Sequence, residues 1–384
     1  MHILFVADNG VPRLGRASDS RMVIIANILS ETYHVSILNR YTSSRSKKIK
    51  CVPLNTSIDC EEIINPRDTG RFFSFLFWMT SVLFEPFVII RNHMHEKIDC
   101  FHVYSGHYID YLLYYILSRV IGAKVVCEYV EYRSAKTKNR SIYHKINGWL
   151  SDNYGARLWD GCIAISYFLE TVVKKVNPNI PVIKVTPLCD FSIFEANMLP
   201  VAIDSPYILF CGHAGYFEVV KLVIDSYHLS NVSHSKKLVL VLGGHEKQIL
   251  KIKDYAPDCS ILKHLPYDEL IAYYKHAFAL MIPLRNTLED LARFPNKICE
   301  YVAAGGLIVT TKYGEIPYYF KDGFNAVIAD DCSELALAEK LDKIELGQYN
   351  IEDIKNNCRK LGTSVFRFDV YSELLANFIS DIIK

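Results

Sequence analysis

The sequence predicts an α/β protein of two doubly wound, parallel-sheet domains facing a central cleft. Three observations carry this reading. Short apolar runs alternate with helical periodicity along the whole chain. The alternation breaks at 195–206 (EANMLPVAIDSP), which reads as a linker, and then restarts. A length of 384 residues is enough for two domains with separate cores.

The first run, His2–Ala7, suits a buried parallel strand. A polar stretch containing Gly10, Gly15 and Arg16 follows. Residues 21–30 read as a helix and 34–38 as a second strand, completing a βαβ unit. Further strands are expected at Cys100–Tyr104, Lys124–Tyr129, 161–165 and 181–185, with helices over Tyr108–Ile121 and from Ser166. Beyond the linker, strands are expected at 207–211, 238–242, 260–262, 279–282, 307–310 and 326–329. The amphipathic segment 369–383 is expected to return to the first domain. The boundaries are thus 1–198, 199–362 and a crossing helix within 363–384. Both domains read as Rossmann-like, with ligand-competent loops at the carboxyl ends of their strands.

Composition narrows the function classes. A formal charge of +1 gives no reason to expect nucleic acid as a partner. The 11 cysteines contain no Cys-x-x-Cys pair, which argues against a disulfide framework or a zinc site. Together with a start that lacks a basic leader, they point to a cytoplasmic protein. The glycine fingerprint of nicotinamide and flavin enzymes is absent from the first strand-to-helix loop. No carboxylate cluster suggests a resident metal.

Residues 72–90 are nearly all apolar and approach the length of a membrane span, but Glu85 and Pro86 lie inside them. A core helix or a surface-lying helix fits better. The early aromatic residues would suit peripheral contact with the inner face of the plasma membrane. The basic stretches 45–50 and 133–140 are either solvated loops or contacts for lipid phosphates.

The most informative segment is Arg293-Phe-Pro-Asn-Lys297-Ile-Cys-Glu300-Tyr301, running on to Gly305-Gly306 and an apolar strand. Pro295 suits a first helical turn, and the glycines suit its end. A cation at a helix start is unfavourable unless an anion binds there. Arg293 and Lys297 would meet a diphosphate, and Glu300, on the same face as Lys297, would accept sugar hydroxyls. The plain alternative is a Lys297–Glu300 helix pair with Arg293 in solvent.

This segment resembles the donor-site helix of the retaining glycosyltransferases of family four, which have the GT-B fold. Other stretches fall in the same order. Cys162–Ser166 and Pro187–Phe194 resemble segments that close the first domain. Tyr207–Gly212 and Leu238–Gly244 resemble the opening strands of the second, and His264–Leu270 the loop that meets the nucleotide base. Lys312–Ile316 and Asp322–Asn325 complete the series. The match is strong in the second domain and loose in the first, where the family binds acceptors.

The resemblance implies that Glu300 binds the ribose, that Lys297 and Arg293 hold the diphosphate, and that Gly212 lets backbone approach the reacting centre. Gly15 and Arg16 sit where the first loop meets donor phosphate or acceptor. His213, Gly243, Gly244, His264 and Leu265 complete the donor-site candidates. The chain departs from the pattern at Ala292, where a second glutamate is common, and at Glu218, where a lysine is usual. Glu289 or Asp290 are the candidate substitutes for that glutamate. The family's first-domain histidine is not evident. Glu128 and Glu131 occupy its neighbourhood, and Glu131 is the candidate group to polarise an acceptor hydroxyl.

The expected reaction is transfer of a sugar from a nucleoside diphosphate sugar to a hydroxyl of a glycan or polyprenyl-linked acceptor. The resemblance adds retention at the anomeric carbon, no metal and no cofactor beyond the nucleotide-sugar co-substrate. Bacterial surface polysaccharide synthesis is the expected setting. A sugar-nucleotide 2-epimerase and a catalytically degenerate nucleotide-sugar-binding protein are the alternatives.

Overall fold

The computed structural model describes residues 1–7, 17–41, 54–64, 71–135, 141–263 and 265–384. The first elements are β1 (His2–Ala7), α1 (Ala17–Ser30), β2 (His34–Tyr41), β3 (Asp59–Ile64), α2 (Arg71–His95) and β4 (Cys100–Tyr104). Then come α3 (Tyr108–Ile121), β5 (Lys124–Tyr129), α4 (Ile142–Tyr154), β6 (Gly161–Ala164), α5 (Tyr167–Val176) and β7 (Val182–Lys184). They form a parallel sheet in the order β3-β2-β1-β4-β5-β6-β7. The interior strands β1, β4, β5 and β6 are almost wholly buried, as their apolar runs require. The edge strand β3 reads Asp-Cys-Glu-Glu-Ile-Ile, which carries no such run and is not predicted from sequence.

The second set is α6 (Phe191–Ala196), β8 (Tyr207–His213), α7 (Phe217–Leu229), β9 (Lys237–Gly243), α8 (Glu246–Tyr255), β10 (Ser260–Lys263) and α9 (Tyr267–His276). It continues through β11 (Ala279–Met281), α10 (Leu288–Ala292), α11 (Lys297–Ala303), β12 (Ile308–Thr311), α12 (Ile316–Tyr319), β13 (Val327–Ala329), α13 (Glu334–Glu345) and α14 (Ile351–Val365). Its parallel sheet runs β10-β9-β8-β11-β12-β13. That is the doubly wound order in which the first strand has the second on one side and the fourth on the other. Ligands collect where the winding reverses, outside the carboxyl ends of β8 and β11.

The chain divides into Met1–Thr186 with Phe368–Lys384, and Pro187–Arg367. The first division therefore falls before the expected boundary at 198. Residues 187–194, expected to close the first domain, are tied into the second unit. Cys189 N–H donates to the Phe366 carbonyl at 3.0 Å, and Lys275 donates to the Phe194 carbonyl at 2.9 Å. Phe194 is buried. The last helix, α15 (Ser372–Ile383), packs on the first unit. Tyr33 donates to its Ala376 carbonyl at 2.7 Å, and a Cβ on Gly161 would lie 2.2 Å from Ile382 Cδ1. A side chain at that strand start would have to displace Ile382.

Helix α2 contains the apolar stretch 72–90. Its Glu85 is fully buried, and Arg40 Nε donates to it at 2.8 Å. Arg40 also reaches Asp110 at 2.7 Å and Tyr114 at 3.0 Å, and Tyr114 donates to Glu85 at 2.6 Å. Burial raises the Glu85 pKa, with Arg40 and Tyr114 opposing the rise. The charge is thus the anchor that docks α2 on the sheet. Among the described residues, no helix is long and apolar enough to cross a membrane.

Candidate functional site

The second unit gathers most of the candidates at the carboxyl end of its sheet. β8 ends in Gly212 and His213, which pair with Leu242 and Gly243 at the end of β9. His213 and Gly243 are exposed there. Gly244 has φ +126°, so the chain can turn directly off the strand. A Cβ on Gly212 would lie 2.7 Å from the Phe210 ring, so a side chain at this strand end would have to displace that ring. Gly215 N–H donates to His213 Nδ1 at 3.0 Å, which fixes the imidazole over the turn.

Helix α11 is shorter than the proline and glycine signals suggest. It runs from Lys297 to Ala303, with Asn296 already in the helical region, so Lys297 is its first residue. Gly305 ends it with φ +69°, and Gly306 N–H returns to the Tyr301 carbonyl at 3.2 Å. Lys297 Nζ donates to Glu300 Oε2 at 2.7 Å, and Tyr274 donates to the same oxygen at 3.2 Å. Burial works against the charge on Lys297, but Glu300 outweighs it and raises the pKa, so the ammonium persists at neutral pH. Tyr301, one residue on, accepts the Cys211 N–H at 2.9 Å and so ties α11 to the end of β8.

Arg293 does not lie loose in solvent. Its Nη2 is 2.5 Å from Asp290 Oδ1, its Nη1 is 3.9 Å from Glu289, and its guanidinium stacks 5.1 Å from the Tyr216 ring centroid. Thr287 caps α10 by accepting the Asp290 N–H at 3.2 Å. Arg285 donates to Asp290 Oδ2 through its backbone N–H and its Nε, each at 2.8 Å. Both Asp290 oxygens are therefore held, and the residue is fully buried. Burial raises its pKa, but Arg285 and Arg293 prevail and hold the carboxyl below its usual range. Asp290 thus clamps Arg293 and Arg285 in place. Glu289 keeps about a fifth of its side chain exposed and is the carboxylate of this pair that can meet a ligand. Ala292 is fully buried, so no side chain acts from that position. Glu218 is exposed in the first turn of α7, and Lys221 pairs with Asp225.

Leu265 is half-buried just before α9. His264, Gly15, Arg16 and residues 45–50 lie outside the described residues, as do 136–140. Glu131 belongs to the first unit and sits past the end of β5, 4.0 Å from Arg133 Nη1. Glu128 is buried in an internal network with Arg21 at 2.8 Å and His102 at 3.5 Å.

Sequence reasoning missed several residues. Tyr274, Tyr216 and Arg285 hold Glu300, Arg293 and Asp290, yet each is remote from the donor-helix segment or stands outside its pattern. In the first unit, β4 ends at the point where the winding reverses, and Ser105, Gly106 and His107 follow it. A Cβ on Gly106 would fall 2.2 Å from the Arg133 guanidinium, so the glycine admits that cation to the strand end. The sequence of β4 followed by Ser-Gly-His was the available signal, because glycine directly after a buried strand marks close approach.

The arrangement offers two cations held by carboxylates, bare backbone at two strand ends and hydrogen-bonding groups beside them. It is suited to an anionic ligand that also carries hydroxyls. Residues 195–361, which contain all of it, match the family model described as glycosyl transferases group 1. The chain has the GT-B fold, and its match to the group 1 glycosyl transferases is carried by residues 195–361. Its group 1 domain lies within the second unit. The sucrose-phosphate synthase of Thermosynechococcus elongatus has a similar structure, with a TM-score of 0.78 at 12% identity over 99% of this chain and 98% of that one. The Anabaena HepE structure in complex with UDP and glucose gives 0.69 at 13% identity, covering 99% and 100%. WaaG, a glycosyltransferase involved in lipopolysaccharide biosynthesis, gives 0.65 at 14% identity over 98% and 99%. No curated protein sequence matches the chain significantly.

Proposed function

We propose that the enzyme transfers a sugar from a nucleoside diphosphate sugar to a hydroxyl of a glycan or polyprenyl-linked acceptor, with retention, in bacterial surface polysaccharide synthesis. The single observation that carries this is the pairing of Lys297 with Glu300 at the start of α11, next to the Arg293 clamp. The HepE structure, solved with UDP and glucose, and WaaG, named for lipopolysaccharide synthesis, support the donor class and the setting.

In this reading the diphosphate displaces Lys297 from Glu300. The ammonium and the Arg293 guanidinium then face the leaving phosphates, and Glu300 turns to the ribose hydroxyls. The acceptor hydroxyl attacks the anomeric carbon from the side of the departing phosphate. The bond from carbon to phosphate oxygen breaks, the new glycosidic bond forms, and the hydroxyl proton passes to the leaving diphosphate. Positive charge builds on the sugar and negative charge on the diphosphate. Glu289 would stabilise the first, and Lys297 and Arg293 the second. These cations supply the charge that a metal supplies in other transferases, so the proposal includes no resident metal or cofactor. The exposed Leu83, Phe84 and Phe87 on α2 support peripheral contact with a bilayer holding a lipid-linked acceptor, on the cytoplasmic side.

Glu289 and Asp290 separate under mutation. Glu289→Gln should lower turnover about a hundredfold while nucleotide binding and melting temperature stay near wild type. Asp290→Asn should instead destabilise the fold by about 1.5–3 kcal/mol, the range for hydrogen bonds to charged groups. Because the Asp290 pKa is lowered in the folded state, its contribution is present above the ordinary carboxylate range. It is lost as pH falls through the lowered value, so the gap between the two proteins closes in acid. Steady-state kinetics with urea unfolding at several pH values checks both. Full turnover in Glu289→Gln would remove Glu289 from the reaction.

A further inference from the structure

We propose that His2, His34 and Glu96 form a binding site for a divalent transition-metal ion of the zinc class, separate from the transferase site. His2 and His34 are the first residues of β1 and β2 and are paired in register. Register partners on adjacent parallel strands point to the same side of the sheet. Their ring centroids are 4.4 Å apart. Glu96 directly follows α2, and its Oε1 lies 2.7 Å from His34 Nδ1. One ligand atom from each of the three residues falls within 4.8 Å of the others.

A second observation points independently to a ligand. His2 is only 6% exposed, and its buried Nδ1 has no hydrogen-bond partner. Its other nitrogen, Nε2, lies 2.7 Å from Ser36 Oγ. In the tautomer whose Nε2 donates to Ser36 Oγ, one of the two this contact allows, Nδ1 presents a lone pair. Metal-bound histidines are oriented in this way by a partner on the far ring nitrogen. The residue lines a cavity of about 280 Å³ together with His34, Ser36, Cys60, His95 and Glu96. Two imidazole nitrogens and a carboxylate are a zinc donor set that leaves a fourth position for water or a nearby side chain. Ligation at ~2.0–2.2 Å would part His34 from Glu96 slightly, draw His2 inward and release the His34 Nδ1 proton.

The site lies at the amino-terminal ends of β1 and β2. Ligand-binding loops of such sheets lie at the other end. The ion would therefore tie two strand starts to the end of α2 and take no part in sugar transfer. A second group, His228 with Asp258 and Cys259, lies on the surface and supplies the control.

The test uses the untagged full-length chain, stripped with chelator and titrated with Co2+ in the visible range and with Zn2+ by calorimetry. One saturable equivalent is expected, retained in His228→Ala and lost in His34→Ala. Glu96→Gln should weaken it, and Ser36→Ala should weaken it about tenfold. His34 and Glu96 are partly exposed, and circular dichroism confirms that their variants fold. No saturable binding to the wild type, or binding that survives His34→Ala and vanishes in His228→Ala, would overturn the proposal.

Discussion

Lys297→Ala should lower kcat about a hundred- to a thousandfold, the loss seen when one group facing transition-state charge is removed. Lys297 begins α11, stays protonated through Glu300, and stands where the reversal of strand order concentrates ligands. Its stability cost should be small, because the pair with Glu300 is still about a third exposed on the lysine side and surface pairs contribute ~1 kcal/mol at most. The measurement is product formation under saturating donor, with melting temperature alongside. A variant that melts normally and turns over normally would leave the reaction without its main cation.

The second large effect is on stability. Arg40→Ala should cost about 3–5 kcal/mol, because it leaves the buried carboxylates of Glu85 and Asp110 without their shared cation. Part of the cost would be relieved as Glu85, whose pKa is already raised by burial, takes up a proton. Urea unfolding of the wild type, Arg40→Ala and the double variant Arg40→Met/Glu85→Leu checks the account. The double variant should recover part of the loss, since it removes the stranded Glu85 charge and leaves that of Asp110. Equal stability of Arg40→Ala and wild type would mean that α2 is docked by its apolar contacts alone.

What the sequence made legible follows from locality. Interior strands such as β9 are continuous apolar runs, so the alternation that defines two doubly wound sheets is visible without coordinates. The edge strand β3, with two glutamates and an aspartate, is not. Arg293, Lys297 and Glu300 were legible because they share one short segment with helix-start and helix-stop signals. Their partners were not, because Tyr216, Tyr274 and Arg285 come from other elements and no periodicity links them. Asp290 looked like an available loop carboxylate until Arg285 and Arg293 were seen to hold both of its oxygens. Arg40, Glu85 and Asp110 likewise meet across long separations, so the charge inside an apolar stretch reads as a defect in sequence and as an anchor in structure.

The central claim is that the second unit binds the nucleotide sugar through the Lys297–Glu300 pair. The most direct measurement is a thermal shift of wild type and Glu300→Ala against UDP, GDP, ADP, CMP and their sugar conjugates. One nucleotide class should stabilise the wild type, by about 2.7 kcal/mol at a hundred times its Kd, and that shift should disappear in Glu300→Ala. A ligand that shifts both proteins equally, or no shift of the wild type with any of them, would contradict it.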